Sequence, residues 1–96
     1  MALTLEWSEE ALEDIEAIAT YIEKDSPIYA KAVVSKIFEK AELLLSFPEL
    51  GRIVPEINDL QIRELFVYSY RIIYRLEREK VVMIAVIHGK RVLEGF

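Results

Sequence analysis

The spacing of apolar residues along this chain predicts a short strand followed by a helix. Positions 3–7 alternate between apolar and polar residues, which indicates a strand with Leu3, Leu5 and Trp7 directed inward. From about residue 9 the apolar positions recur at helical spacing as far as residues 24–25, and Ser8 is a suitable N-cap for this helix. Its predicted apolar face consists of Leu12, Ile15, Ile18, Ala19 and Ile22.

Ser26-Pro27 marks the start of a second helix, with serine at the N-cap and proline at the first helical position. Phe47-Pro48 is expected to end it. Only a couple of residues separate the two helices, so they should form an antiparallel hairpin. The apolar stripe predicted for the second helix comprises Ala30, Val33, Val34, Ile37, Phe38, Ala41, Leu44 and Leu45.

Three β-like runs follow a connector at residues 48–56. It holds two prolines and a glycine and is expected to form no element of its own. The runs cover about 61–67, 70–77 and 80–88, with a tight turn at Arg78-Glu79. Residues 81–87 are all apolar, as is typical of a strand buried on both faces. The order βααβββ predicts a single α+β domain over residues 1–96, in which the helical hairpin packs on a mostly antiparallel four-stranded sheet.

Period-two alternation in the middle run places two arginines on one face of the sheet. Arg71 and Arg75 should share that face with Ile73, because side chains two positions apart point the same way. The opposite face should carry Tyr70, Ile72, Tyr74 and Leu76.

Charge is distributed unevenly around a formal net charge of −5. Residues 1–50 contain 11 acidic residues, four lysines and no arginine, whereas all six arginines lie in residues 51–96. The net negative charge argues against a general nucleic-acid binder. The absence of cysteine excludes disulfides and cysteine-based metal sites, and a single histidine makes a zinc site unexpected, so no metal or cofactor is predicted. No apolar run is long enough for a membrane span and no signal peptide is evident, so a cytoplasmic location is expected.

Several short motifs lie in a familiar order along nearly the whole chain. They are Trp7-Ser8, Ser26-Pro27, FPELGRIVPE at 47–56, IREL at 62–65, YRIIYR at 70–75 and VIHGKR at 86–91. In this ordered set the chain resembles the RelE/ParE superfamily, which comprises bacterial and archaeal toxins from type II toxin–antitoxin modules.

The resemblance implies a growth-inhibiting toxin that a cognate antitoxin holds inactive. RelE-like members cleave mRNA in the ribosomal A site without a metal, whereas ParE-like members poison DNA gyrase without hydrolysis. The long hairpin, the connector and the IREL strand look more like ParE, so a ParE-like gyrase inhibitor, of the kind associated with plasmid stabilization, is the favoured hypothesis. A RelE-like ribosome-dependent mRNA endonuclease and an inactive antitoxin-binding member are the alternatives.

If the nuclease hypothesis holds, the resemblance also implies catalytic residues. Arg71 and Arg91 match arginines that hold the scissile phosphate, while His88 or Glu56 would move the proton. Glu64 departs from this pattern because RelE-like enzymes carry lysines on the same strand, and residues 92–96 lack a tyrosine found in some of them.

A purely structural interpretation of the same residues is also open. Arg71 and Arg75 would then form a solvated face of the sheet, paired with Glu64 or Glu77 across strands. His88 would hydrogen-bond the following turn. Tyr70 and Tyr74 would be core aromatic residues with hydroxyls at its edge, and Gly51-Arg52 and Gly89 would be turn residues.

The partner surface is predictable in outline. Family members bind an antitoxin segment that folds as it binds, and an exposed sheet edge or the groove beside the helical hairpin would receive it. An acidic hairpin should favour a basic antitoxin segment. Besides the antitoxin, the expected target is gyrase or the ribosome, with no membrane partner and no direct binding of free nucleic acid.

Overall fold

The computed structural model describes residues 2–91, which form five strands and two helices. In chain order these are β1 (Thr4–Trp7), α1 (Glu9–Glu23), α2 (Pro27–Leu43), β2 (Arg52–Ile53), β3 (Ile62–Val67), β4 (Tyr70–Leu76) and β5 (Lys80–His88). The predicted α+β class and the helical hairpin on a sheet are confirmed. The predicted strand count is wrong by one, because the connector contributes the two-residue strand β2.

Strand β2 exists because the connector runs alongside β3. Arg52 pairs with Glu64 and Ile53 with Arg63 in antiparallel register. This pairing depends on tertiary placement, whereas the prolines and the glycine nearby indicate a connector without an element.

The sheet order is β1-β5-β4-β3-β2. β1 runs parallel to β5, and the other neighbouring pairs are antiparallel. Parallel neighbours need a long crossover between them. In this chain the connection from β1 to β5 contains β2, β3 and β4 as well as both helices, which cover one face of the sheet.

Both helices begin as the sequence predicts. The Ser8 hydroxyl accepts a hydrogen bond from the Ala11 amide (3.0 Å), and the Ser26 hydroxyl accepts one from the Tyr29 amide (3.1 Å). Each N-cap therefore satisfies one of the amides that have no partner within a helix. α2 ends at Leu43, a few residues before the predicted stop, and turns continue to Ser46.

The main core lies between the helices and the sheet. Tyr74, Ile72 and Met83 are fully buried there, and Leu3, Leu5 and Trp7 pack against its edge as predicted. The helix faces differ from prediction at two positions: on α1 Leu12 is 45% exposed while Ala11 is buried, and on α2 Phe38 is 39% exposed. A smaller cluster on the opposite face of the sheet brings together Val54, Ile62, Ile73, Ala85 and Ile87.

A β-bulge in β5 changes which of its residues face each cluster. Ile73 pairs with Ala85 and Tyr74 with Met83, so Ile84 is the extra residue. A bulge shifts the alternation of side chains by one position. Met83 and Val86 consequently face the helices, although an unbroken alternation would put them on opposite faces. Within residues 2–91 no helix is long and apolar enough to cross a membrane.

Candidate functional site

The candidate site is built on the face of the sheet away from the helices, around Arg71. This arginine is only 5% exposed, and Glu64 from the neighbouring strand is 1% exposed. Arg71 donates from Nε to Glu64 (2.5 Å) and binds both oxygens of Glu56 from its two terminal nitrogens (2.7 and 2.9 Å). It also donates to the Arg91 carbonyl oxygen at 2.9 Å. A buried guanidinium is thus held by two carboxylates and one carbonyl.

Glu64 bridges two arginines. Its second oxygen accepts from Arg52 Nε at 2.6 Å, and the Arg52 guanidinium also lies 5.3 Å from the centre of the Phe66 ring. The Arg52 side chain is 59% exposed, whereas that of Glu64 has no exposure. Burial of a carboxylate is tolerable when such charged hydrogen bonds replace its hydration.

The two carboxylates keep Arg71 charged. Hydrogen bonding to Glu56 raises the pKa of Arg71 above its ordinary value, more than burial lowers it, and Glu64 adds to the rise. Both carboxylates favour the charged form of a side chain that is not deprotonated in proteins. The pairing of Arg71 with Glu64 that the structural interpretation predicted is present, but the Arg71 side chain is buried rather than solvated. Arg75 is the more exposed of the two arginines and lies 3.9 Å from Glu77.

The connector is fixed to the sheet by Tyr74 and Arg63. The Tyr74 hydroxyl donates to the Pro48 carbonyl (2.8 Å) and accepts from the Gly51 amide (2.9 Å), while Arg63 donates to the Gly51 carbonyl (3.0 Å). A Cβ atom on Gly51 would lie 2.5 Å from the Glu64 carbonyl oxygen and 2.7 Å from the Tyr74 hydroxyl. Glycine is thus required by the close approach of the connector to β3, beyond its role in a turn.

His88 lies apart from Arg71. Its ring packs edge-on against Tyr70, at 5.8 Å between centroids, and its Nδ1 accepts from the Lys90 amide at 3.3 Å. Tyr70 packs with the helix-side core, whereas Arg71 points to the other face. The sheet thus separates the imidazole of His88 from the guanidinium. Hydrogen bonding to the next turn agrees with the structural alternative for His88.

The four predicted catalytic residues therefore come together only in part. Glu56 contacts Arg71 directly, and Arg91 reaches it through its backbone carbonyl. The Arg91 side chain is exposed and lines a groove with His88 on the helix side. The sequence analysis missed Arg52 as a member of the charged cluster. The available signal was its position two residues before the apolar Val54, which the structure shows to be buried.

No metal centre is evident in the part of the chain that the structure describes. Residues 2–91 contain no group of three histidine or acidic side chains placed to hold an ion. Glu56 and Glu64 instead bind Arg71.

Comparison with known families places this arrangement in context. The sequence model of the family described as ParE toxin of type II toxin–antitoxin system, parDE, matches residues 5–93. The chain belongs to the ParE toxin family. A comparison with curated protein sequences finds no significant match.

Solved structures share the fold of this ParE-family toxin. The chromosomal ParDE toxin–antitoxin system from P. aeruginosa aligns at a TM-score of 0.76 and 20% identity, covering 93% of this chain and 98% of that one. A free-state double arginine mutant of the E. coli toxin RelE aligns at 0.65 and 20% identity, covering 94% and 86%. The RelBE2 complex from Mycobacterium tuberculosis aligns at 0.58 and 23% identity, covering 92% and 99%.

Proposed function

We propose that this ParE-family toxin inhibits DNA gyrase by binding rather than by hydrolysis, and that a cognate antitoxin neutralises it. The family match and the ParDE structural neighbour favour the gyrase-directed branch. The RelBE2 neighbour is itself a toxin–antitoxin complex, which favours an antitoxin partner. The observation that carries the proposal, however, is the state of Arg71.

Arg71 has little capacity left for a substrate phosphate. Four of its five N–H groups already donate, to Glu64, to Glu56 and to the Arg91 carbonyl. A phosphate would have to displace a bidentate carboxylate that is itself favourable to the guanidinium. An arginine held in this way stabilises the connector better than it would stabilise charge in a transition state.

The test compares two reactions of the purified, antitoxin-free chain. In a gyrase supercoiling assay we expect inhibition that increases with toxin concentration. In a ribosome-programmed assay we expect the mRNA to remain uncut at the A site. Cleavage at the A site without inhibition of supercoiling would overturn the proposal.

A RelE-like endonuclease is the second candidate, and one observation favours it. His88 and Arg91 are both exposed and line the same groove, where an acid–base group and a cation would be accessible. The diagnostic variants are His88→Ala and Arg91→Ala, because removal of these exposed side chains leaves the buried cluster in place. Cleavage that both variants abolish would assign the chain to this class.

Arg71→Ala is a poor diagnostic variant. It would leave Glu64 buried without one of its two cations, so loss of activity could follow from loss of the fold. If the wild-type chain is inactive in both assays but still binds its antitoxin, the third hypothesis, an inactive antitoxin-binding member, is the correct one.

A further inference from the structure

The turn between β3 and β4 carries an aromatic residue in a strained backbone conformation. Val67 pairs with Tyr70, so the hairpin loop consists of only Tyr68 and Ser69. Tyr68 has a φ of 53°. Positive φ values are unfavourable for bulky side chains, and two-residue hairpin loops with a positive φ at the first position favour glycine or asparagine. Tyrosine is therefore a poor choice for the turn itself, and its presence needs another reason.

The Tyr68 ring is accessible and is held in place by its neighbours. The residue is 55% exposed, and its ring packs edge-on against that of Tyr29 at the start of α2, with centroids 5.8 Å apart. The loop is tied to the end of β5, because the Ser69 carbonyl accepts from the Gly89 amide at 2.6 Å. Strained residues that their surroundings hold are typical of functional sites, and a pre-ordered ring loses little conformational entropy on binding. Tyr68 thus has the properties of a binding residue.

A second exposed aromatic residue lies in the same groove as Tyr68. The groove has a volume of about 300 Å³, and Phe66 and Lys90 also line it. The guanidinium of Arg52 lies 5.3 Å from the centre of the exposed Phe66 ring. Aromatic residues and arginine are enriched at the centres of protein interfaces. We refer to Arg52, Phe66, Tyr68 and Lys90 as the β3–β4 patch.

The charged groups of the β3–β4 patch are cationic. Of the described residues that line the groove, Lys90 carries a positive charge and none is acidic. The Arg52 side chain is largely exposed, so its terminal nitrogens are accessible although its Nε bonds the buried Glu64. An arginine and a lysine beside aromatic rings suit a carboxylate. The patch is thus complementary to an acidic segment of a partner.

A protein suits this patch better than a nucleic acid. Two exposed cations are few for a phosphate backbone, where affinity grows with the number of phosphate contacts, and the whole chain has a net charge of −5. Phe66 shares the face of Glu64, away from the helices, because the two residues are two positions apart in β3. The surface expected for the antitoxin lies beside the helical hairpin instead. The β3–β4 patch is therefore available to the second protein partner, the target.

We propose that the β3–β4 patch is the surface with which this toxin binds gyrase, with Tyr68 packing against an acidic segment of that enzyme and Arg52 and Lys90 pairing with its carboxylates. The inference rests on the function proposed above and adds the place where the target binds. Glycine at position 68 would relieve the strain and remove the ring. Stability and inhibition should therefore respond in opposite directions to a change at this one residue.

The first test replaces Tyr68 in the full, antitoxin-free chain. Tyr68→Gly should leave the midpoint of urea unfolding unchanged or raise it, because glycine adopts a positive φ without strain. It should nevertheless weaken gyrase inhibition at least about tenfold, as is typical of a central interface residue. Tyr68→Phe keeps the ring and should stay within about threefold of the wild type. The matched control is Phe47→Ala, since Phe47 is 61% exposed but lies beyond the far end of α2, and this variant should inhibit normally.

The outcomes of this test separate the inference from the proposed function. Equal inhibition by Tyr68→Gly and the wild type would overturn the inference alone. A lower unfolding midpoint for Tyr68→Gly would show that the ring serves stability, and an equal loss of antitoxin affinity would assign the patch to the antitoxin; either result would also overturn it. Absence of both inhibition and gyrase binding by the wild type would contradict the proposed function and this inference with it.

The second test addresses charge and leaves the loop unchanged. Lys90→Glu reverses an exposed charge in the patch, and Arg78→Glu, the control, reverses one in the turn at the opposite end of β4 and β5. In surface-based binding to purified gyrase without DNA, we expect Lys90→Glu to weaken the affinity about tenfold or more and Arg78→Glu less than about threefold. The difference should shrink as salt is added. Equal effects of the two variants would overturn the proposal, and so would binding that appears only when DNA is added, because DNA would then be the occupant.

Discussion

At the scale of single residues, the decisive feature is a carboxylate that the sequence places in an apolar strand. Glu64 stands among Ile62, Leu65 and Phe66, and its burial is tolerable because Arg52 and Arg71 donate to its two oxygens. An isolated buried carboxylate would be strongly unfavourable, so the arginines and Glu64 stabilise the fold only as a set. The main role of Arg71 is consequently to stabilise the fold.

Replacing Glu64 by glutamine should therefore destabilise the protein. The amide keeps one oxygen, so only one arginine retains an acceptor, and we expect the free energy of unfolding to fall by about 1–3 kcal/mol. Glu77→Gln is the matched control: its partners lie at 3.8 and 3.9 Å and all three side chains are partly exposed, so a change within about 0.5 kcal/mol is expected. Urea unfolding of both variants checks the difference, and equal effects would contradict the importance of burial.

Tyr74 should make stability depend on pH under alkaline conditions. Burial raises the pKa of Tyr74 above the ordinary tyrosine value of 10.0. The folded state then holds its proton after the unfolded chain has lost it, so the stabilisation is complete below pH 10 and is lost as the pH rises beyond it.

The matched variant for this effect is Tyr74→Phe. It should lower the free energy of unfolding by about 1–3 kcal/mol at neutral pH, because the Pro48 carbonyl and the Gly51 amide lose their partner. Its stability should also fall less steeply above pH 10 than that of the wild type. Some slope should remain, because burial raises the pKa of Tyr70 too. Identical slopes in urea unfolding curves would contradict the assignment to Tyr74.

At the scale of elements, the molecule depends on how α1 meets β5. The bulge at Ile84 and the short length of β1 leave backbone groups of β5 without a neighbouring strand. Ser8 and Asp14, from the start and middle of the α1 region, bond two of them. Buried backbone groups need such partners, so helix and sheet are joined by hydrogen bonds as well as by apolar packing.

The two N-cap serines should consequently contribute different amounts to the free energy of unfolding. Ser8 accepts from the Ala11 amide and donates to the Ile84 carbonyl, whereas the Ser26 hydroxyl only caps α2, at an exposed position. Ser26→Ala should cost about 0.5–1 kcal/mol, as is usual for a lost N-cap. Ser8→Ala should cost about 1 kcal/mol more, since a second hydrogen bond is lost. Chemical denaturation compares the two, and an equal or smaller effect for Ser8→Ala would contradict the link to β5.

At the scale of the whole molecule, the charge difference between the two halves of the sequence does not become an equal difference between two surfaces. The arginines lie in residues 51–96, but Arg71 and Arg52 are committed to Glu56 and Glu64. The acidic residues of α1, in contrast, are largely exposed. The accessible field near the helices is thus negative, which suits a basic protein segment better than a nucleic acid.

Association with the antitoxin should accordingly be sensitive to ionic strength. We expect the association rate to fall by about tenfold or more between low salt and physiological salt, because opposite charges accelerate the encounter and salt screens them. Stopped-flow or surface-based kinetics with the full toxin would measure this. An antitoxin segment that is acidic, with a rate indifferent to salt, would contradict the predicted complementarity.

The sequence by itself determined the two helices, four of the five strands and the two faces of the central strand. Apolar periodicity and the two serine caps are local signals, so α1, α2 and the strand bounds could be predicted to within a few residues. The alternation of Arg71, Ile73 and Tyr74 likewise fixed which side chains share a face. These features depend on residues that are close in sequence, so they can be predicted without knowledge of the tertiary structure.

Tertiary structure alone decided the chemistry of the site. Strand β2, the bulge at Ile84 and the bidentate bond of Glu56 to Arg71 all depend on contacts between residues distant in sequence. No local pattern distinguishes an arginine that is free to hold a phosphate from one enclosed by two carboxylates. The difference arises from burial and from the path of the connector, because only a folded chain brings Glu56 and Glu64 to the same guanidinium.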